Sequence, residues 1–336
     1  QDTFRRLGVS FDKFYYESQV YQRGKETVEE GLKKGIFYKD EEGAVWVDLT
    51  DEGLDKKVLL RANGTSLYIT QDLAIAEDKY QDYQMDKSVY VVGNEQDYHF
   101  KVLFKILEKL DKPYADGLFH LSYGMVNLPS GKMKSREGTT VEADDLMDTM
   151  IQTAREATET LGKTEGMEEK ELEKLYQRIG LAALKFFLVK VDPKKTMLFD
   201  PQESIDIHGS TGPFVQYAYT RTMGIKRKAK AAGMNFDFHP SHTGEEELLD
   251  SERSLLRYIL KYPEVLKEAG ETYNPSLIAN YCYELAKEYN RFFHDAPVLK
   301  PDKPHTSAFR YTLSDFTGTC LKEGMKLLGI EMSERM

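Results

Sequence analysis

Cysteine is nearly absent: the 336 residues contain two, Cys282 and Cys320, and neither sits in a Cys-x-x-Cys pair. That excludes a disulfide framework or a cysteine-rich zinc module and favours a reducing compartment. Long apolar runs are also missing, so no membrane span is expected. No charged-then-apolar leader with a small-residue cleavage site is visible, so no secretory signal is expected. Positive charge is in deficit, since 46 Lys and Arg against 56 Asp and Glu leave a net charge of −10. Indiscriminate nucleic-acid binding, which needs excess positive charge, is thereby disfavoured. A local basic patch is still compatible with the acidic total, because charges more than about 10 Å apart are largely screened at 0.1 M salt. No Gly-x-x-x-x-Gly-Lys-Ser/Thr string occurs, which argues against a P-loop enzyme.

What is present divides into two halves, as about 100–200 residues per domain would suggest. The first 140 residues mix strand and helix signals. Ala44–Leu49 reads as a strand. Lys57–Arg61 and Ser66–Ile69 flank Ala62-Asn63-Gly64-Thr65 and predict a hairpin, since Asn-Gly between apolar runs is a strong turn signal. Ser88–Val92 predicts a buried strand ending at Gly93, and Phe100, Leu103, Phe104, Leu107 and Leu110 follow at helical spacing. Strand, glycine, polar tip and helix make the unit of a parallel α/β sheet, whose ligands sit at the carboxyl ends of the strands. After residue 141 the strand signals cease. Helices are predicted from Glu142 to Leu161, Leu172 to Val189, Pro213 to Ala232, Glu245 to Tyr262, Leu277 to Phe292 and Thr312 to Leu328, an all-α bundle.

Three segments could carry chemistry. Gly131–Thr140 holds Lys132, Lys134 and Arg136 among glycines and hydroxyls, which suits a clamp on phosphates during nucleotidyl transfer; the same residues also suit a solvated surface loop. Tyr68-Ile69-Thr70-Gln71-Asp72 places a phenol and a carboxylate at a strand–helix corner. A carboxylate there could pair with a planar cation through two parallel hydrogen bonds, or simply be an acid in a helix's first turn. The helix from Gly212 carries five cations and no acids between Ile207 and Phe236, with Tyr217, Arg221 and Lys228 on one stripe. That mixture suits stacking on unpaired bases with phosphate contact, or mere solubility. His239-Pro240-Ser241-His242 has no third ligand nearby and is read as surface.

In order, the Tyr-x-x-x-Asp corner, the strand ending in Gly93-Asn94-Glu95-Gln96, the Lys-Met loop after Gly124-Met125-Val126, the helix with Gly-Pro-Phe-Val-Gln-Tyr and the ending Leu328–Met336 resemble class I arginyl-tRNA synthetase. The resemblance implies the carboxyl part of a Rossmann-type α/β catalytic domain (1–140), linking stem helices (141–205) and an all-α anticodon-binding bundle (206–336). It implies that Tyr68, Asp72 and Gln96 hold the arginine substrate. Lys132, Lys134 and Arg136 would act in catalysis. Glu95, His99, Gly124, Met125, Val126, Lys132 and Ser135 would meet ATP, and Phe214, Tyr217, Arg221, Arg227 and Met336 would meet the tRNA anticodon loop.

The implied substrates are L-arginine, ATP with Mg²⁺ and an arginine tRNA. No bound metal or organic cofactor is expected, and the implied enzyme is cytoplasmic and monomeric, with no membrane contact. The loop departs from the family pattern, because Ser135 stands where a second lysine is usual and Lys134 where a serine is usual. The His-x-Gly-His string of class I ATP sites does not occur in these residues. The chain is accordingly expected to be the carboxyl part of a longer synthetase and inactive alone. Two other readings stay open: a related nucleotidyltransferase, and a non-catalytic RNA-binding or scaffold protein derived from a synthetase. An Asp72 carboxylate already taken by an internal partner would count against the arginine assignment.

Overall fold

The computed structural model describes residues 1–127, 142–162, 166–234, 236, 247–300 and 303–336. The chain forms two compact units, one of residues 10–125 and one of residues 1–9 with 126–336. In chain order a short helix α1 (Asp2–Arg6) precedes α2 (Glu17–Lys33), β1 (Phe37–Lys39), β2 (Val45–Val47) and β3 (Lys57–Leu60). Then come α3 (Tyr68–Tyr83), β4 (Ser88–Gly93), α4 (Asp97–Lys109) and β5 (Leu118–Tyr123). The remainder is β6 (Val126–Asn127), α5 (Ala143–Leu161), α6 (Glu169–Val189), β7 (Met197–Leu198), α7 (Pro201–Ile205) and α8 (Gly212–Ala231). It closes with α9 (Asp250–Leu260), α10 (Tyr262–Thr272), α11 (Pro275–Asp295) and α12 (Pro304–Leu327).

In the unit of residues 10–125, β1, β2 and β3 form an antiparallel meander, with Tyr38 opposite Trp46 and Trp46 opposite Val58. β4 and β5 pair in parallel from Ser88 with Leu118 to Gly93 with Tyr123, and α4 is the crossover between them. The apolar residues of α4 recur every three or four positions, and Leu103, Ile106 and Leu107 are fully buried with Leu59 and Leu73 in one core. The predicted hairpin is only half realised. The turn is made, with Gly64 at φ +74°, but the second strand shrinks to a single bridge from Leu60 to Ser66. Tyr68 and Ile69 instead start α3, because Ile69 and Leu73 fall on one helical face and bury completely there. β4 is also not a buried strand. Val91 is 63% exposed while Tyr90 and Val92 pack inward, so one face of the pair is open.

In the other unit, helix starts follow their side chains. Asp200, Thr211 and Asn274 each accept a backbone N–H of the following turn, and each is followed by proline in the first turn of its helix. α11 is the central helix: Leu285, Tyr289 and Phe292 are fully buried, and α8, α9, α10 and α12 pack around it. A second core joins α5, α6 and α7 through Met147, Met150, Phe187 and Phe199. Gly180 is required where α6 crosses α5, since a Cβ there would lie 2.8 Å from the Ile151 backbone. Two expectations are corrected here. The second half is not free of strand, because β6 and β7 make a two-residue parallel pair. The helix expected from Glu245 to Tyr262 is α9, which ends at Leu260 close to the expected end, and a further helix that was not expected, α10, follows at once, with Pro263 in its first turn unable to continue the hydrogen-bond ladder of α9.

Candidate active site and anticodon-reading surface

The first candidate site lies at the tips of α3 and α4. Tyr68 and Asp72 are four apart in the first turns of α3 and so share a face. Tyr68 is 79% exposed, leaving its phenol open to solvent. β4 ends at Gly93, and a 3-10 turn of Asn94–Gln96 carries the chain into α4 with Glu95 and Gln96 exposed. One turn into α4, the His99 Nε2 lies 2.6 Å from Asp72 Oδ2. Against an ionised carboxylate the ring nitrogen is the donor. Asp72 is therefore not free, contrary to the condition set on the sequence. The contact takes one lone pair of Oδ2. A carboxylate has about four acceptor positions, so both oxygens can still receive a forked donor. Oδ1 has no protein hydrogen-bond partner among the described residues.

Behind Asp72 lies a pair that sequence reasoning missed. Lys79, seven residues on along α3, sits over the Tyr90 ring at 4.2 Å. Burial pushes the Lys79 ammonium below its ordinary range, with the Asp72 charge opposing. Burial pushes the Tyr90 phenol up to about 12, with the neighbouring Ser88 hydroxyl opposing the shift. The signal for Lys79 was its spacing from Asp72 on one helical face. Tyr90 looked like an ordinary strand aromatic. Beside His99, Asp97 accepts a hydrogen bond from Ser122 Oγ at 2.6 Å, and His120 Nε2 meets the Val92 carbonyl at 3.0 Å. These contacts fix the start of α4 against β4 and β5. Gly124 is buried and Met125 is exposed just beyond β5, and Val126 is half-buried at β6. Lys132, Lys134, Ser135 and Arg136 lie outside the described residues, as do His239 and His242.

The second candidate site is on α8. Arg221 donates to Asn290 Oδ1 at 2.7 Å, and its guanidinium lies over the rings of Tyr217 at 4.6 Å and Phe293 at 5.3 Å. Phe214 packs against Tyr283. Tyr217 and Met336 together line an apolar cavity of about 40 Å³ with Ile179 and Ile205. Arg227 donates to the Glu334 carbonyl at 2.7 Å. The chain end is held against α8 by further bonds, Gln216 Nε2 donating to the Glu331 carbonyl at 2.8 Å and Thr220 Oγ1 to the Ser333 carbonyl at 2.9 Å, and against α6 by Arg178, which donates to the Glu331 carboxylate at 3.0 Å. Tyr217 is thus brought together with Arg221 and with Met336, and Arg227 holds the same chain end, while Lys226, Lys228 and Lys230 are exposed around the last turns of α8, Lys226 paired with Asp315 at 2.9 Å. Sequence reasoning missed Asn290 and Phe293, which lie far along the chain on α11.

Comparison with known proteins agrees on the class. The family description "tRNA synthetases class I (R), catalytic domain" matches residues 1–200, and "DALR anticodon binding domain" matches residues 215–336. The fold and these matches define a class I aminoacyl-tRNA synthetase, an α/β catalytic-domain portion followed by a helical anticodon-binding domain. Within that class, the chain belongs to the arginyl-tRNA synthetase family. The arginine–tRNA ligase of Parabacteroides distasonis is 51% identical over 335 residues, covering 100% of this chain and 56% of the relative. That of Flavobacterium psychrophilum is 50% identical, covering 99% of this chain and 55% of the relative. The chain therefore spans little more than half the length of these relatives. Among solved structures, Thermus thermophilus arginyl-tRNA synthetase superposes with a TM-score of 0.85 at 24% identity, over 100% of this chain and 62% of that one. Mycobacterium tuberculosis methionyl-tRNA synthetase with methionyl-adenylate superposes with a TM-score of 0.68 at 12% identity, over 97% of this chain and 76% of that one, a likeness of fold alone.

Proposed function

We propose that this chain works within an enzyme that joins ATP and L-arginine to arginyl-adenylate with release of pyrophosphate, then moves arginine to the terminal ribose of its tRNA. Asp72 receives the arginine guanidinium, His99 holds the carboxylate in place, and Tyr68 and Gln96 flank the amino acid. The observation that supports this is the Asp72 carboxylate at the tip of α3, anchored at Oδ2 by His99 and without a hydrogen-bond partner at Oδ1 among the described residues. Lysine could not replace arginine as ligand, because it lacks the planar fork that matches a carboxylate.

Glu95, His99, Gly124, Met125, Val126, Lys132 and Ser135 are assigned to ATP, His99 also being the partner of Asp72, and Lys132, Lys134 and Arg136 neutralise phosphate charge as it develops, the protein supplying position and electrostatics rather than a nucleophile. ATP arrives as a substrate with Mg²⁺. Residues 1–140 serve the catalytic domain, 141–205 the stem, and 206–336 the anticodon reader, in which Phe214, Tyr217, Arg221, Arg227 and Met336 contact the loop. Because these residues contain no His-x-Gly-His string, the chain by itself does not activate arginine, and arginine-dependent pyrophosphate exchange stays at background.

Calorimetric titration with L-arginine and with L-citrulline, its uncharged isostere, tests the Asp72 assignment. Arginine binds, citrulline does not, and Asp72→Ala abolishes the difference. Equal heats for the two ligands with the unaltered chain would remove Asp72 from amino-acid recognition.

A further inference from the structure

A cleft of about 750 Å³ opens along α6, α12 and the Gly329–Met332 segment, in the same compact unit as α8. Lys174, Arg178 and Lys185 of α6 and Lys322 and Lys326 of α12 line it, and Glu331 is the one acid on its wall among the described residues. Arg178 is matched by Glu331 at 3.0 Å. Lys174 and Lys322 are exposed and have no ion-pair partner among the described residues. Lys185 is half-buried on the wall and donates to the Gly329 carbonyl at 2.6 Å, with no ion-pair partner among the described residues. Burial pushes its ammonium below the ordinary range. Three cations in one concavity therefore lack counter-charge, in a protein whose total is −10, and desolvating a cation without a counter-ion is unfavourable.

The arrangement of the cations selects the anion. Lys174 and Lys185 are eleven residues apart on α6, about 16 Å along the helix, so the cations are spread along the cleft rather than gathered at the position of a single phosphate. Lys174 and Arg178, and Lys322 and Lys326, are each four residues apart, which sets them about 6 Å apart along two helices. Two rows at that repeat suit a polymer with a charge on every unit. We infer that this cleft holds the sugar-phosphate backbone of an RNA strand, by charge and without reading bases. The inference rests on the reading that the chain engages an arginine tRNA, but assigns a contact surface separate from the α8 stripe.

The test is the affinity of this chain for arginine tRNA across a salt series. Lys174→Gln with Lys322→Gln lowers affinity at least tenfold at low salt and flattens the log–log salt slope by about 1.4–1.8, at 0.7–0.9 per phosphate contact. The Lys174→Arg, Lys322→Arg pair keeps both, and the preference for the arginine anticodon over an altered one is unchanged in either pair. An unaltered slope in the glutamine pair overturns the inference, and so does an equal loss in the arginine pair. Displacement of inorganic tripolyphosphate by the glutamine pair, with tRNA affinity unmoved, also overturns it and marks a small-anion site. If the unaltered chain shows no anticodon preference while the glutamine pair still flattens the slope, the anticodon reading fails and the cleft stands.

Discussion

At the residue scale, the proposed recognition of arginine depends on how a carboxylate is held. Asp72 is i+4 from Tyr68 on α3, and His99 reaches it from α4 at 2.6 Å. A hydrogen bond to a charged group contributes about 1.5–3 kcal/mol. His99→Ala leaves Asp72 free to rotate, and arginine affinity falls about tenfold while the arginine-over-citrulline preference survives; loss of the preference itself would make His99 a direct contact. On α8, Arg221 is set by Asn290 and by two rings. Arg221→Lys keeps the charge but not the planar stacking, so arginine tRNA affinity drops severalfold with little change in salt slope. A change in slope alone would mean the residue supplies charge only. The types and spacing of Tyr68, Asp72, Tyr217 and Arg221 were legible in sequence. His99 as the partner of Asp72 was not, because it lies 27 residues away and only the β4–α4 turn brings it round.

At the element scale, two polar clusters fasten helices. Arg310 of α12 and Glu252 of α9 form a buried pair at 2.6 Å, with side chains 8% and 3% exposed. Arg310 also donates to the Pro297 carbonyl, and Glu252 accepts the Leu249 N–H. Breaking such a pair strands a buried charge, so Arg310→Met lowers unfolding stability by about 3–5 kcal/mol, and adding Glu252→Leu restores part of it. Chemical denaturation measures both, and no recovery in the double variant would show that packing, not charge, is lost. In the other unit Lys112 bridges Glu30 of α2 at 2.9 Å and Glu77 of α3 at 3.0 Å.

Burial, the largest single influence, would raise both carboxyls, but the hydrogen bond and charge of Lys112 together with Lys34 at Glu30, and with Tyr114 and Gln81 at Glu77, outweigh it and hold both below the ordinary 4.5. Their stabilisation is full above that pH and fades as acid protonates them. Lys112→Met therefore removes much of the stability loss seen below about pH 4.5; an unchanged acid profile would rule the bridge out. Helix periodicity made most elements visible beforehand. The missing second hairpin strand and the separate helix α10 were not, since a short apolar run fits either strand or helix until its partners are known.

At the scale of the whole molecule, the order of motifs along the chain identified the family, where each alone allowed a bland reading. Local pattern explains the α/β-then-helical organisation. It could not show that the open face of β4 exposes Val91, or that the chain end Gly329–Met336 is stitched to α6 and α8, because both depend on contacts far apart in sequence. The chain covers 56% of its Parabacteroides relative, so catalysis is proposed for the longer enzyme, while the part that matches a DALR anticodon binding domain carries the proposed RNA-reading surface, which can be tested directly. The decisive measurement is the affinity of this chain for arginine tRNA beside the same tRNA with an altered anticodon, at one salt concentration. The account predicts a preference of at least tenfold for the arginine anticodon, reduced toward unity by Tyr217→Ala. Equal affinities for the two RNAs, or a preference that Tyr217→Ala leaves intact, would contradict it.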